Sequence, residues 1–127
     1  DNVKSRNKIF LFDDAYFSPI SMRRLSEIIM LLFKNNKSGI FNISSNDRLS
    51  KLQFGLKICD CFNLEKKFII SSKIANKKDL VLRPKDTSLN NKKFTLTFNY
   101  DCGSIYDNIN DLIYDLNDGI KNNLMNI

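Results

Sequence analysis

Residues 8–32 read KIFLFDDAYFSPISMRRLSEIIMLL, and the hydrophobic period changes inside this stretch. Lys8-Ile9-Phe10-Leu11-Phe12 is an apolar run closed by Asp13-Asp14, long enough for a buried strand and too short for a helix. From Ser21 the apolar residues Met22, Leu25, Ile28, Ile29 and Leu32 recur at three and four residues. That spacing is one stripe of an amphipathic helix, which Pro19 precedes and Asn35-Asn36-Lys37-Ser38-Gly39 stops. The order strand then helix repeats downstream. Gly39 to Ile43 reads as a second strand, and Ser50-Lys51-Leu52-Gln53 has the spacing of a capping box that opens a second helix. Phe54, Ile58 and Cys61 or Phe62 line one face of that helix, and Asn63 sits where it ends. Lys67 to Ser71 is a third strand candidate, followed by a polar stretch through Asp79 and then Leu80-Val81-Leu82-Arg83-Pro84. A final helix is capped by Ser104. Ile105, Ile109, Leu112, Ile113, Leu116 and Ile120 form its stripe, while Asp107, Asn110, Asp111, Asn117 and Asp118 face away toward solvent. Strands alternating with helices predict an α/β fold with a small, at least partly parallel sheet and flanking helices.

The 127 residues suit a single domain, and 43% hydrophobic with 27% charged content is globular rather than disordered, collagenous or coiled-coil. No apolar run approaches the roughly 18 residues of a membrane span. Asp1 to Lys8 is polar and charged, unlike a secretory signal, and the absence of an initiator Met fits a longer precursor or parent. The chain has no His, which excludes Ser-His-Asp and Cys-His triads and His-ligated metal sites, and no metal site is expected. Three Cys without framework spacing suggest reduced thiols in the cytoplasm. Cys59 and Cys61 would point about 200° apart on a helix, so thiols packed as small hydrophobes are expected rather than a metal clip.

The net charge of +6 raises nucleic acid as a partner. Yet 15 of the 20 cations are Lys scattered among 17 Asn and 15 Ile, which resembles the drift of an AT-rich coding sequence more than a basic stripe. Lys77-Lys78 with Lys73, and Lys92-Lys93, read as solvated clusters, so neither nucleic acid nor membrane is expected as a partner.

Three segments resemble, in order, the C-terminal part of the extended short-chain dehydrogenase/reductase superfamily, in the branch of dTDP-4-dehydrorhamnose reductase. Asp14-Ala15-Tyr16-Phe17-Ser18-Pro19-Ile20 with Arg24-Leu25-Ser26-Glu27-Ile28 is similar to the family's acidic-x-x-x-small-Pro-Thr segment and the helix after it, with Ile20 in place of Thr. Gly39-Ile40-Phe41-Asn42-Ile43 with Leu49-Ser50-Lys51-Leu52-Gln53-Phe54 is similar to its Gly-(Ile/Val)-(Tyr/Phe)-(Asn/His) strand and Ser-x-x-(Glu/Gln)-Phe helix start. Arg83-Pro84-Lys85-Asp86-Thr87-Ser88-Leu89, with Lys92 or Lys93 and Phe94, is similar to its Arg-Pro-x-x-(Ser/Thr)-x-Leu segment. The resemblance implies the C-terminal portion of a Rossmann-like reductase, residues 1–127 forming one partial, substrate-binding domain. Missing are the Gly-rich turn of the nucleotide-binding fingerprint and the Tyr-x-x-x-Lys pair, since Gly39, Gly55, Gly103 and Gly119 are dispersed and no Tyr has a Lys four residues on. By the resemblance, a cofactor domain lies upstream and binds NADPH or NADH, while this chain holds no cofactor and no catalytic residue and is inactive alone.

The site residues follow from the same segments. In nucleotide-sugar members an Arg-Pro-x-Asp segment lies over the nucleotide, which implies Arg83 near the diphosphate and Asp86 near the ribose. A guanidinium fork suits phosphate oxygens, and Pro fixes the backbone beside it. An ion-pair anchor is the alternative for Arg83. Tyr16, Phe17 and Ser18 form a loop at the C-terminal end of the first strand, where Tyr16 or Phe17 would stack on a base or sugar and Ser18 would hydrogen-bond it, or where an aromatic packs under the Pro turn. The expected function is the substrate-binding portion of a sugar-nucleotide reductase of nucleotide-sugar biosynthesis, its ligand a nucleotide-sugar, with a homo-oligomer left open. The alternatives are a non-catalytic regulatory or binding protein of the same fold and a basic nucleic-acid-binding module.

Overall fold

The structure is a computed structural model that describes residues 7–76, 81 and 83–118. The expectations for Lys77-Lys78, Asp79, Leu80, Leu82 and Ile120 lie outside the described residues. The chain divides into two compact units, one from residues 1–18 and 48–89 and the other from 19–47 and 90–127.

In the first unit the apolar run after Lys8 forms β1 (Ile9–Phe12), and β2 (Tyr16–Phe17) follows the Asp13-Asp14 turn. Next come β3 (Leu49–Ser50), α2 (Lys51–Cys61) and β4 (Ile69–Ser72), the last preceded by a 3-10 turn at Lys66–Phe68. β1 runs parallel to β4, Ile9 opposite Ile69 and Phe12 opposite Ser72, whereas β2 is antiparallel to β3. A parallel pair needs a crossover, and α2 supplies it while packing on both strands. The capping box forms as its spacing predicts: the Gln53 amide donates to Ser50 Oγ at 3.1 Å, and Gln53 Oε1 accepts the Ser50 amide at 2.8 Å. Gly55 permits the close approach of α2 to the sheet, since a Cβ there would collide with the Leu11 side chain. Phe62 caps the helix, and Asn63 follows it with φ at +51°.

The second unit holds α1 (Met22–Phe33), α3 (Lys92–Phe98) and α4 (Ile105–Asn117). Ile28, Phe94 and Cys102 are its fully buried centre, with Leu31, Leu32, Phe41, Ile43 and Phe98 packed around them. The buried stripe of α1 is therefore centred on Ile28 and excludes Met22, which is 72% exposed. The strand expected at Gly39 to Ile43 does not form. Side-chain bonds fasten it instead: Lys93 Nζ donates to the Ile40 carbonyl, Asn42 Nδ2 donates to the Asn90 carbonyl, and just beyond the segment Asn91 Nδ2 donates to the Ser44 carbonyl. Side-chain contacts of this kind hold a segment that has no ladder to pair with. α3 occupies part of the stretch where the sequence predicts no element.

α4 corrects a second expectation. Ser104 caps it as predicted, with Asp107 as the reciprocal partner, but Asp111 is not solvated. Its Oδ2 accepts the Ser21 hydroxyl at 2.7 Å and lies 2.7 Å from Arg24 Nε, so it joins α4 to the start of α1. Buried Asn108 accepts the Ser21 amide at 2.7 Å and donates to the Cys102 and Ser104 carbonyls. Gly103 has φ at +73°, and a Cβ would stand 2.8 Å from the Arg24 guanidinium, so both backbone and space hold it to glycine. Tyr100 donates to Glu27 at 2.7 Å, and burial together with that carboxylate pushes its phenol up to about 12. Cys59 and Cys102 are buried free thiols, raised in pKa by that burial, and Cys61 is half-buried.

Candidate functional site

The parallel alignment of β1 and β4 sets their C-terminal ends side by side, the edge at which open α/β sheets bind ligands. Asp13 extends the ladder by donating its amide to the Ser72 carbonyl at 2.9 Å. Beyond it, Asp14 Oδ1 accepts the Ile74 amide at 2.9 Å and ties the chain after β1 to the chain after β4. Above this edge lies a cavity of about 300 Å³. Phe12, Ala15, Ile74 and Pro84 form its apolar walls, and Tyr16, Lys51, Arg83 and Thr87 its polar ones.

Residues 83–88 form one wall because they are stitched to β2. The Tyr16 amide donates to the Lys85 carbonyl at 2.7 Å, and the Thr87 amide and hydroxyl donate to the Tyr16 carbonyl at 3.0 and 3.1 Å. Lys51 is anchored through its own amide, which donates to the Ala15 carbonyl at 3.0 Å. The Arg48 guanidinium lies 3.8 Å over the Tyr16 ring and donates through Nε to Asp86 Oδ2 at 2.8 Å. Lys51 Nζ rests 3.4 Å over the Phe17 ring.

Asp86 is occupied on its other oxygen as well, accepting from the Ser88 amide at 3.0 Å and hydroxyl at 2.6 Å. The Ser88 donors and then Arg48 hold its carboxyl down at about 2. Asp14 is lowered too, chiefly by the Ile74 amide. A carboxylate depressed in the fold contributes stability that is complete above its ordinary value of 3.8 and lost as pH falls through the folded value. The wall at 83–88 should therefore loosen between about pH 4 and pH 2. Amide exchange at Thr87 and Ser88 across that range checks this: Asp86→Asn should already exchange fast at neutral pH, and a pH-independent wild-type profile would count against the carboxylate's role.

Of the residues singled out in the sequence, Tyr16 and Arg83 line this one cavity. Phe17 turns to a second cavity of about 360 Å³ between Ile9, Leu11, Phe54, Ile58, Cys59 and Ile69, which Lys51 also lines, and packs edge-on to Phe54 at 5.3 Å between centroids. Asp86 braces the wall through Ser88 and Arg48. Ser18 is half-buried and lines neither cavity. Sequence reasoning missed Lys51, Thr87 and Arg48. The one local sign was a Lys at the first position of α2, against the helix dipole.

Among the described residues no three His, Cys, Asp or Glu side chains group as metal ligands, and no helix is long and apolar enough to cross a membrane. The described glycines are dispersed, and two of them stand against side chains: a Cβ on Gly55 would meet Leu11 and one on Gly103 would meet Arg24, whereas Gly39 has only ordinary contacts with Phe41 and Lys93.

The family model described as RmlD substrate binding domain matches residues 1–117. Two solved structures are similar in fold. One is dTDP-4-dehydrorhamnose reductase from Bacillus anthracis str. Ames in complex with NADP, with a TM-score of 0.81 and 18% identity over 90% of this chain and 40% of that one. The other is a dTDP-4-dehydrorhamnose reductase from Clostridium acetobutylicum ATCC 824, with a TM-score of 0.72 and 18% identity over 87% of this chain and 40% of that one. The chain thus spans 40% of the length of either structure. None of the curated proteins matches the chain by sequence.

Proposed function

The chain belongs to the RmlD substrate binding domain family, and from that premise we propose that it is the substrate-binding portion of an NAD(P)-dependent sugar-nucleotide reductase acting in the cytoplasm on a dTDP-linked 4-keto sugar. The observation that carries this reading is the meeting of Arg83 and Tyr16, distant in sequence, on one cavity at the C-terminal edge of the parallel strands. Arg83 supplies a two-pronged donor set for diphosphate oxygens, and Tyr16, braced by Arg48 on one ring face, offers its other face to a base or sugar. The nicotinamide cofactor and the residues that move the proton belong to a domain outside these residues, a reading supported by the lack of a Gly-rich turn and of a Tyr-x-x-x-Lys pair in this sequence. Three free thiols agree with a reducing compartment.

Calorimetric titration of the chain with dTDP should give saturable binding, and incubation with NADPH and a dTDP-4-keto-deoxysugar should oxidise no cofactor. A random DNA duplex should bind weakly at about 150 mM salt, because scattered Lys neutralise few phosphates. Turnover by this chain alone would overturn the division of labour. Micromolar duplex binding, with a slope near −5 or steeper in log affinity against log salt, would replace the reading with nucleic-acid binding.

A further inference from the structure

The register of β2 gathers three side chains on one face. Tyr16 stands opposite Ser50 in the antiparallel pair with β3, and opposite Asp86 in a parallel bridge on its other side. Arg48 lies two residues before Ser50, and the period of two in an extended chain returns it to the face that Tyr16 and Asp86 share. Arg48 therefore flanks the ring from one side and Asp86 from the other. The guanidinium crosses the ring at 3.8 Å from its centroid, and Nε and Nη2 both reach Asp86 Oδ2 at 2.8 Å. Its face covers the ring while its edge holds the carboxylate, a division that a planar cation allows and a point ammonium does not. The carboxylate is fixed in turn, because its second oxygen accepts the Ser88 amide and hydroxyl. The Arg48 and Asp86 side chains are 52% and 45% exposed, where an ion pair adds little to fold stability. What the pair does fix is the ring beneath it.

We propose that Arg48 is a positioning residue for Tyr16: the Arg48–Asp86 pair spans the ring, closes one of its faces and presents the other to the cavity as a fixed stacking platform. A pinned ring has given up its rotational freedom before a ligand arrives, so a planar partner meets a smaller entropic cost on stacking. The platform rests on the reading of this cavity as a nucleotide-sugar site, where the planar partner is the base. The pinning of the ring stands apart from that reading.

Nuclear magnetic resonance on the full chain reads the pin without a ligand, and calorimetry with dTDP reads the platform. In wild type, where no variant has to fold, the Tyr16 ring should be ordered and should shift the Arg48 side-chain protons upfield. Arg48→Met should free the ring and weaken dTDP binding about fivefold. Arg48→Lys, whose ammonium cannot cover the ring and fork the carboxylate together, should recover only part of both. Tyr16→Leu should cost about tenfold, the scale of one lost stacking partner. Because Arg48 acts through the ring, adding Arg48→Met to Tyr16→Leu should weaken binding by less than about twofold further. Amide exchange at Thr87 should keep its wild-type rate in Arg48→Met, since the bonds of Lys85 and Thr87 to Tyr16 do not use the Arg48 side chain. Arg48 protons at ordinary shifts in wild type, a ring that stays ordered without Arg48, or losses that add in the double variant would overturn the positioning role. So would faster exchange at Thr87 in step with lost affinity, which would make Arg48 an anchor of the wall. If the ring loosens in Arg48→Met but wild type binds no dTDP, the pin stands and the nucleotide-sugar reading falls. If dTDP binds wild type and Arg48→Met alike with the ring unmoved, the reading stands and the pin falls.

Discussion

Replacing Phe94 by alanine will destabilise the unit built from residues 19–47 and 90–118 by about 3–5 kcal/mol, the cost of emptying a filled aromatic site. Phe94 is fully buried beside Ile28 and Cys102. Its ring meets those of Phe98 at 5.0 Å, Tyr100 at 6.1 Å and Phe41 at 6.4 Å between centroids. α3, which carries it, has 7 residues, too few to be helical in isolation, so the helix persists because Phe94 and Phe98 are docked. Loss of the ring removes both the contacts and the reason for the helix. In urea the midpoint should fall with little change in slope. Leu96→Ala on the same helix, 74% exposed, should stay within about 0.5 kcal/mol of wild type. A Phe94→Ala midpoint equal to wild type would show that neighbouring rings refill the space.

The contrast between α3 and the other helices shows what the sequence made legible. Ser50 with Gln53 and Ser104 with Asp107 are short-range signals, and both capping boxes form where their spacing puts them. The α3 sequence, KKFTLTF, instead alternates apolar and polar residues as a strand does, and only burial of Phe94 against α1 residues makes it helical. Gly39 to Ile43 has strand composition but no strand neighbour among the described residues of its unit, and the Lys93 ammonium takes the Ile40 carbonyl instead. Asp111 reads as a polar-face residue of α4, and Asn108 draws no reading at all, because nothing local announces Ser21 and Arg24 as their partners. The site divides the same way. Arg83 and Tyr16 were visible through the Arg-Pro-x-Asp segment and the strand-edge rule. Lys51 was not, since its place on the cavity wall exists only once residues 83–88 fold back onto β2.

Arg83→Ala should weaken dTDP binding by about 1.5–3 kcal/mol, roughly ten- to hundredfold, the range for a charge-assisted contact to phosphate. The rest of the wall should survive the change, because residues 85–88 are fastened by the Lys85 and Thr87 hydrogen bonds to Tyr16 and by the Asp86 contacts to Ser88 and Arg48, none of which uses the Arg83 side chain. Fold stability should therefore move by no more than about 0.5 kcal/mol, as for an exposed side chain. That separation of affinity from stability distinguishes a ligand contact from a loop anchor. An anchoring Arg83 would lower the melting temperature and speed amide exchange at Thr87, with affinity falling only as the wall loosens. Arg83→Lys restores the charge without the fork and should recover only part of the loss. Full recovery by Lys would reduce the contact to a point charge, and an Arg83→Ala chain that binds dTDP as wild type does would remove Arg83 from the site.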